Sequence, residues 1–134
     1  MGVDLLQDAL LRTNAAFYRA FAERDIEAMD ELWAHAAPVA CIHPGWPALH
    51  GRKDVMASWR AILLGAAAPD VRCEEVVASL IGEAGLVTCV ERIGDDVLVA
   101  TNLFTREQGL WQIVHHQAGP LAAPEPRATD RRLN

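Results

Sequence analysis

The apolar residues of this 134-residue chain change their spacing near residue 70, and this change limits the folds that the chain can adopt. Before Pro69 the spacing is helical, and after Asp70 the apolar residues alternate with a period of two. Helices that precede a run of hairpin-connected strands form an α+β domain with a mainly antiparallel sheet. The predicted order is α-α-β-α-β-β-β-β.

Three helices and one short strand are predicted in the first half. The first helix, residues 4–23, has one apolar stripe: Leu6, Leu10, Thr13, Phe17 and Phe21. Asp4 and Asp25 are the expected N-caps of this helix and of a second one at 26–35. A buried strand at 39–43 and a third helix at 52–64 follow, separated by a Pro-Gly-Trp-Pro turn.

Four strands are predicted in the second half, at 71–81, 86–93, 96–106 and 109–118. In the last strand, a period of two places Trp111, Ile113 and His115 on the outer face and Val114 and His116 on the inner face. A three-residue loop at 107–109 would set Arg106 opposite Leu110 and Asn102 opposite Val114. This register places Asn102 and His116 on the same face of the sheet.

Composition narrows the classes of partner and compartment. A net charge of −6 argues against nucleic acid. No apolar run reaches the roughly 18–20 residues of a membrane span, and the N-terminus does not read as a secretory signal. Cys41, Cys73 and Cys89 lack CxxC spacing and are expected to be buried free thiols, which favours a cytoplasmic protein. We expect one domain, residues 1–120, and a flexible tail, residues 121–134.

Residues 4–120 resemble the nuclear transport factor 2-like superfamily, in particular its SnoaL-like and ketosteroid-isomerase-like branch. The resemblance rests on the element order and on four segments: FYRAFAERDIEAMDELWA, HPGW, GRKDV and GLWQIVHHQ. It implies a cone-shaped, cystatin-like fold in which three N-terminal helices pack on a curved sheet around a small-molecule cavity. It also implies a homodimer and no cofactor.

The resemblance extends to individual positions. An Asp-Pro pair ends the first strand of the isomerase-like members and supplies the general base, and His43-Pro44 matches it here. A second family acid matches Asn102, whose amide can still donate a hydrogen bond. Phe17 matches a family Tyr that donates to the oxyanion, while Tyr18 is expected to point elsewhere. The missing hydroxyl argues against steroid-type enolisation, because one oxyanion donor contributes about 3 kcal/mol.

Each candidate also has a structural interpretation. His43 can be a core histidine bonded to backbone at a strand end, and His116 can pair with a neighbouring carbonyl. Asn102 can mark a bulge or a buried bond to a loop, because Asn is depleted in strands. His115 is expected to face a second subunit.

Four side chains besides Phe17 are predicted to contact a ligand. Trp46 lies in the Pro-rich turn and would close the cavity, while Trp59 and Val114 would line it. Arg52 would bind an acidic ligand group or pair with Asp54. Cys41 and His43 share a strand face, but neither HExxH nor paired CxxC is present, so no metal is expected.

Three functions remain open at this point. The first is a cofactor-independent isomerase, dehydratase or cyclase that acts on a small apolar or weakly polar molecule, with His43 as base and with Asn102 and His116 beside it. The second is a non-catalytic ligand-binding module, and the third is a dimerisation module. Fold resemblance alone does not choose among them.

Overall fold

Three helices pack on one face of a six-stranded sheet in the computed structural model, which describes residues 2–65 and 70–122. The helices are α1 (Val3–Glu23), α2 (Ile26–Leu32) and α3 (Arg52–Leu63). The strands are β1 (Ala40–Ile42), β2 (Leu49–His50), β3 (Val71–Ile81), β4 (Ala84–Ile93), β5 (Asp96–Glu107) and β6 (Leu110–Pro120). Their spatial order is β2-β1-β6-β5-β4-β3, and only the β1–β6 pair among them is parallel. The predicted α+β class is confirmed.

The helix boundaries differ in part from those predicted. Asp25 caps α2 by accepting a hydrogen bond from the Ala28 amide, as expected. Asp4 is not an N-cap, because α1 begins at Val3 with Gly2 before it. The second helix ends at Leu32 rather than at 35, since the chain becomes extended at Trp33 and bridges to Ile113 of β6. The two-residue strand β2 was not predicted.

The predicted register of the β5–β6 hairpin is wrong in detail. Glu107 pairs with Leu110 around a two-residue turn, because Gln108 and Gly109 both adopt positive φ. A bulge then leaves Val114 unpaired and shifts the register by one residue, so that Asn102 lies directly opposite His116. The shorter turn and the bulge each shift the register by one residue. Together they shift it by two, so Asn102 and His116 still share one face of the sheet.

The bulge also changes which side chains of β6 face the helices. Trp111 and Ile113, predicted on the outer face, are buried on the inner side together with His116. Val114 is half-buried and lies at the bulge, where the alternation of inward and outward side chains is interrupted. The alternation therefore no longer places Val114 on the same face as His116. His115 is half-buried, and its Nδ1 lies 3.0 Å from the carbonyl oxygen of Ala40 in β1.

The helices cover only one face of the sheet. Side chains from α1, α3 and the inner face form one apolar core, which includes Leu10, Phe17, Trp59, Val87 and Phe104. In the described ranges no helix is long and apolar enough to cross a membrane. The predicted tail spans residues 121–134, and all of it after Ala122 lies outside the described residues.

Candidate functional site

A group of polar side chains is buried inside this otherwise apolar core. The buried polar residues are Asn14, His43, Ser58, Glu91, Asn102 and His116. They come from α1, α3, β4, β5, β6 and the end of β1, so they are distant in sequence but converge in the fold. Buried polar groups are costly unless they are paired, so their hydrogen bonds need to be accounted for.

Asn102 is the centre of what we call the central network, which consists of Asn14, Tyr18, Glu91, Asn102 and His116. The Asn102 Nδ2 atom donates to Asn14 Oδ1 at 2.9 Å and to the Tyr18 hydroxyl oxygen at 3.2 Å. Its Oδ1 atom therefore accepts from His116 Nδ1, at 2.6 Å. His116 thus carries its proton on Nδ1 and keeps a free lone pair on Nε2.

Glu91 approaches the same imidazole from β4. Its Oε2 atom accepts a hydrogen bond from the Tyr18 hydroxyl at 2.6 Å and lies 3.8 Å from His116 Nε2. Burial raises the pKa of Glu91, although the bond from Tyr18 opposes the shift. The protonated carboxyl is therefore favoured more than in water.

Both site histidines are held neutral. Burial, and to a lesser degree the charges of His43 and His115, lower the pKa of His116 to about 3. Burial lowers the pKa of His43 to about 4. At neutral pH each imidazole therefore has one nitrogen that can accept a proton.

His43 is positioned by the parallel pairing of β1 with β6, which sets Cys41 opposite His116 and leaves His43 just beyond the strand end. The Ser58 hydroxyl donates to the Val55 carbonyl at 2.6 Å, so it accepts from His43 Nε2 at 2.8 Å. The unprotonated nitrogen of His43 is consequently Nδ1, which has the Cys41 thiol 3.9 Å away as a weak donor.

Aromatic rings enclose the two imidazoles. The Trp59 ring centroid lies 4.8 Å from that of His43 and 5.7 Å from that of His116, and the two imidazole centroids are 6.3 Å apart. Phe17 lies 5.1 Å from His116. Trp46, 41% exposed, stands edge-on against His43 at 5.0 Å and covers it from the solvent side.

A groove of about 590 Å³ opens at the end of the sheet near His43, and we call it the mouth groove. It is lined by Pro44, Ile93, Asp95, Asp96, Val97, Leu98, Pro120 and Leu121. Ile93 shares the inner face of β4 with Glu91, and Leu98 pairs with Glu91. The mouth groove therefore lies next to His43 and Glu91, although neither of these residues lines it.

A second groove, of about 680 Å³, runs along α1 toward the β5–β6 turn. Its lining includes Arg12, Ala16, Glu31 and Leu110 but none of the buried polar residues described above. The buried polar residues do not line the mouth groove either, but that groove adjoins them through Pro44, which follows His43, and through Leu98, which pairs with Glu91, so we place the candidate site there.

The structure brings together most, but not all, of the predicted site residues. His43, Asn102 and His116 converge, with Trp46, Trp59 and Phe17 around them. Arg52 does not join them. Its guanidinium donates to the carbonyls of Trp33, Ala34 and Asp30 and pairs with the Asp30 carboxylate at 2.8 Å, rather than with Asp54.

Sequence reasoning missed Tyr18 and Glu91. Tyr18 was expected to point away, but its hydroxyl contacts Glu91, Asn102 and Cys89. Asn14 precedes Tyr18 by four residues, a spacing that places both on one helix face. Glu91 is two residues after Cys89 and four after Val87, so it lies on the same buried face of β4. This alternation was the signal in the sequence that could have predicted its burial.

The thiol of Cys41 contacts His43 but is not an activated nucleophile. Its Sγ atom lies 3.6 Å from His43 Nε2, which already donates to Ser58. Burial, with a smaller effect of Glu91, raises the pKa of Cys41 to about 12, so the thiol stays protonated. Within residues 2–65 and 70–122, no group of three His, Cys, Asp or Glu side chains is arranged to hold a metal ion.

Two known structures similar to this chain are also similar in sequence. A candidate dehydratase of the nuclear transport factor 2-like family from Streptomyces avermitilis is 32% identical, with a TM-score of 0.83 over 91% of this chain and 100% of that one. A candidate association domain of calcium/calmodulin-dependent protein kinase type II from Thiobacillus denitrificans is 33% identical, with a TM-score of 0.69 over 81% of this chain and 92% of that one.

A curated relative and a family model extend the comparison. F-box protein SKIP8 of Arabidopsis thaliana is 26% identical over 112 residues, which is 82% of this chain and 48% of that protein. The chain thus spans about half the length of that relative. The SnoaL-like domain model matches residues 10–123. The chain belongs to the SnoaL-like family within the nuclear transport factor 2-like superfamily.

Proposed function

We propose that the protein is a cofactor-independent acid–base enzyme that moves protons on a small, weakly polar molecule bound between the mouth groove and the two imidazoles. The observation that carries the proposal is the pair of neutral imidazoles, His43 and His116, with ring centroids 6.3 Å apart. Each has a nitrogen free to take a proton, and Glu91 lies 3.8 Å from one of them. Neutral imidazoles beside a carboxyl group whose pKa is raised by burial are an arrangement suited to proton transfer.

His43 is the base in this proposal, because its Nδ1 atom is unprotonated and the next residue, Pro44, lines the mouth groove. Asn102 fixes the orientation and tautomer of His116 through the 2.6 Å bond to Nδ1. Glu91 is the proton donor, since burial favours its protonated form. These roles allow a proton to be removed at one side of a bound molecule and supplied at the other.

Among isomerisation, cyclisation and dehydration, we favour dehydration. His43 Nδ1 would take a proton from carbon while the Glu91 carboxyl protonates the leaving hydroxyl, which departs as water. Return of the proton from His43 to Glu91 would restore the starting state. The 32% identity to a candidate dehydratase supports this choice but does not establish it.

Proton exchange on a simple ketone tests the acid–base proposal without knowledge of the substrate. The protein should accelerate replacement of the α-protons of 1-indanone by deuterium in D2O, followed by NMR. His43→Gln should lower the catalysed rate by about 100-fold or more, because an amide retains the donor to Ser58 but cannot accept the proton. His50→Gln, at an exposed position in β2, is the matched control and should leave the rate unchanged. Equal rates for the wild type and His43→Gln would contradict the assignment.

A second candidate function is assembly, with the outer sheet face as a homodimer interface. Helices cover only the inner face, and Val99 and Val77 on the outer face are 46% and 61% exposed. The 33% identity to a candidate association domain favours the same reading. Trp111 and Ile113, which the sequence predicts on the outer face, are buried on the inner side together with Val87, so Val99 and Val77 carry the apolar character of the outer face.

Light scattering tests the assembly proposal. The wild type should have the mass of a dimer, and Val99→Lys should shift it toward the monomer, because a buried unpaired ammonium opposes association. Leu5→Lys, which replaces a 60% exposed apolar residue on α1, should remain dimeric. A wild type that is monomeric at high protein concentration would refute the interface.

A further inference from the structure

The indole of Trp59 carries a buried hydrogen-bond donor without an acceptor. Trp59 is fully buried in α3, and its Nε1 atom has no hydrogen-bond partner among the described residues. Trp111 shows the usual arrangement, since its Nε1 atom donates to the Leu6 carbonyl at 3.0 Å. A buried donor left unsatisfied destabilises the protein, so its retention needs a reason.

The position of Trp59 suggests that reason. Its ring is edge-on to His43, at 4.8 Å and 84°, and is 5.7 Å from His116. Among the described residues, Trp59 alone packs its ring against both imidazoles and also has an unused N–H group. A ligand oxygen that accepts from Trp59 would lie against the ring that packs on both imidazoles.

The charges around the site restrict the kind of oxygen. His43 and His116 are neutral, burial favours the neutral form of Glu91, and Arg52 is occupied by Asp30 and backbone carbonyls. Asp95 and Asp96 line the mouth groove. An anionic ligand would lose its hydration there without meeting a cation, which is strongly unfavourable. A ketone, aldehyde or alcohol loses much less.

We propose that Trp59 Nε1–H is the donor that binds the oxygen of an uncharged carbonyl or hydroxyl compound in this site. The inference rests on the proposed function for the location of the ligand, and it adds the binding residue and the ligand class. Trp59 is in this view a ligand-binding residue, while Phe17 and Trp46 supply apolar contact only.

Three probes of similar shape separate the oxygen from the charge. Wild-type protein should bind 1-indanone about tenfold more tightly than indane, which lacks the oxygen, because one hydrogen bond in an apolar site supplies that ratio. It should also bind 1-indanone about tenfold or more tightly than indane-2-carboxylate. Dissociation constants can be measured by ligand-observed NMR titration. Failure of 1-indanone to bind, or equal binding of 1-indanone and indane, overturns the proposal.

A pair of tryptophan variants tests the residue. Trp59→Phe should reduce the preference for 1-indanone over indane to about one, with little change for indane. Trp33→Phe is the matched control, since Trp33 is also fully buried with an unpartnered Nε1 atom but lies against β6 at Ile113. It should keep the preference, and its loss there as well would overturn the assignment to Trp59.

A measurement on the wild type guards against a misfolded variant. The ¹⁵N–¹H resonance of the Trp59 indole should move downfield when 1-indanone is added and should not move with indane. An indole resonance that responds equally to both overturns the proposal.

If Trp59→Phe loses the preference while His43→Gln keeps full exchange activity, the acid–base proposal fails and the binding proposal stands. If exchange depends on His43 but the wild-type protein does not prefer 1-indanone over indane, the binding proposal fails and the acid–base proposal stands.

Discussion

Acidification from pH 7 to pH 4 is expected to lower the free energy of unfolding by several kcal/mol, because two buried histidines resist protonation. The pKa values of His43 and His116 fall from 6.5 to about 4 and about 3 on folding. Above pH 6.5 both groups are neutral in the folded and the unfolded chain, and neither makes stability depend on pH. Below pH 6.5 the unfolded chain binds protons that the folded chain does not, so the free energy of unfolding decreases.

The size of this effect is comparable with the whole stability of a small domain. Each histidine removes about 3 kcal/mol between pH 6.5 and pH 4, against a total of about 5–15 kcal/mol for a typical domain. Glu91 acts in the opposite direction: because its pKa is raised, acidification stabilises the folded state until the carboxyl of the unfolded chain is also protonated. The pKa values of Glu74 and Glu107 are lowered, by the bond from Arg92 and by the backbone amide of His35 respectively, and these groups add to the loss in acid.

Urea unfolding between pH 7.5 and pH 4.5, followed by tryptophan fluorescence, measures this dependence. His43→Gln should reduce the slope of stability against pH by about one proton, since the amide keeps the bond to Ser58 but does not titrate. A free energy of unfolding that stays constant from pH 7 to pH 4.5 would show that the histidines are not held neutral by the fold.

The parts of the fold that the sequence predicts are those carried by regular spacing. The stripe from Leu6 to Phe21, the capping by Asp25 and the glycine-rich turns predict three helices and then a meander, and the structure has this order. His43 was placed at the end of the first strand by the position of Pro44. These features depend on local geometry, so one chain segment suffices to predict them.

The features that were missed depend on interactions between segments. The bulge at Val114 lies next to Ile113, which pairs with β5 and also bridges to Trp33. The bulge breaks the period-two alternation of β6, and no residue in the sequence of the strand marks that break. Glu91 stands next to Arg92 near a turn, where a charged residue is ordinarily exposed. Its burial is explained by Tyr18, which lies 73 positions earlier in the chain.

Asn102 is the buried polar side chain whose loss should destabilise the core most, because it makes the most hydrogen bonds between segments. The Asn102 amide bonds to Asn14, Tyr18 and His116, which come from α1 and β6. Asn102→Ala would leave the Asn14 oxygen and the His116 Nδ1–H without these partners and would open a small void. Each buried group left unpaired costs about 1–3 kcal/mol. We therefore expect the free energy of unfolding to fall by about 3–5 kcal/mol.

Thr101→Ala is the matched control for Asn102→Ala, because Thr101 is the preceding residue of β5, is half-buried and lies on the outer face. It should change stability by no more than about 0.5 kcal/mol. Both variants can be compared by their urea midpoints at a common slope. Similar losses for the two would mean that water replaces the amide and satisfies its partners, and that the central network contributes little. A large loss confined to Asn102→Ala would instead show that one amide holds α1, β5 and β6 together around His116.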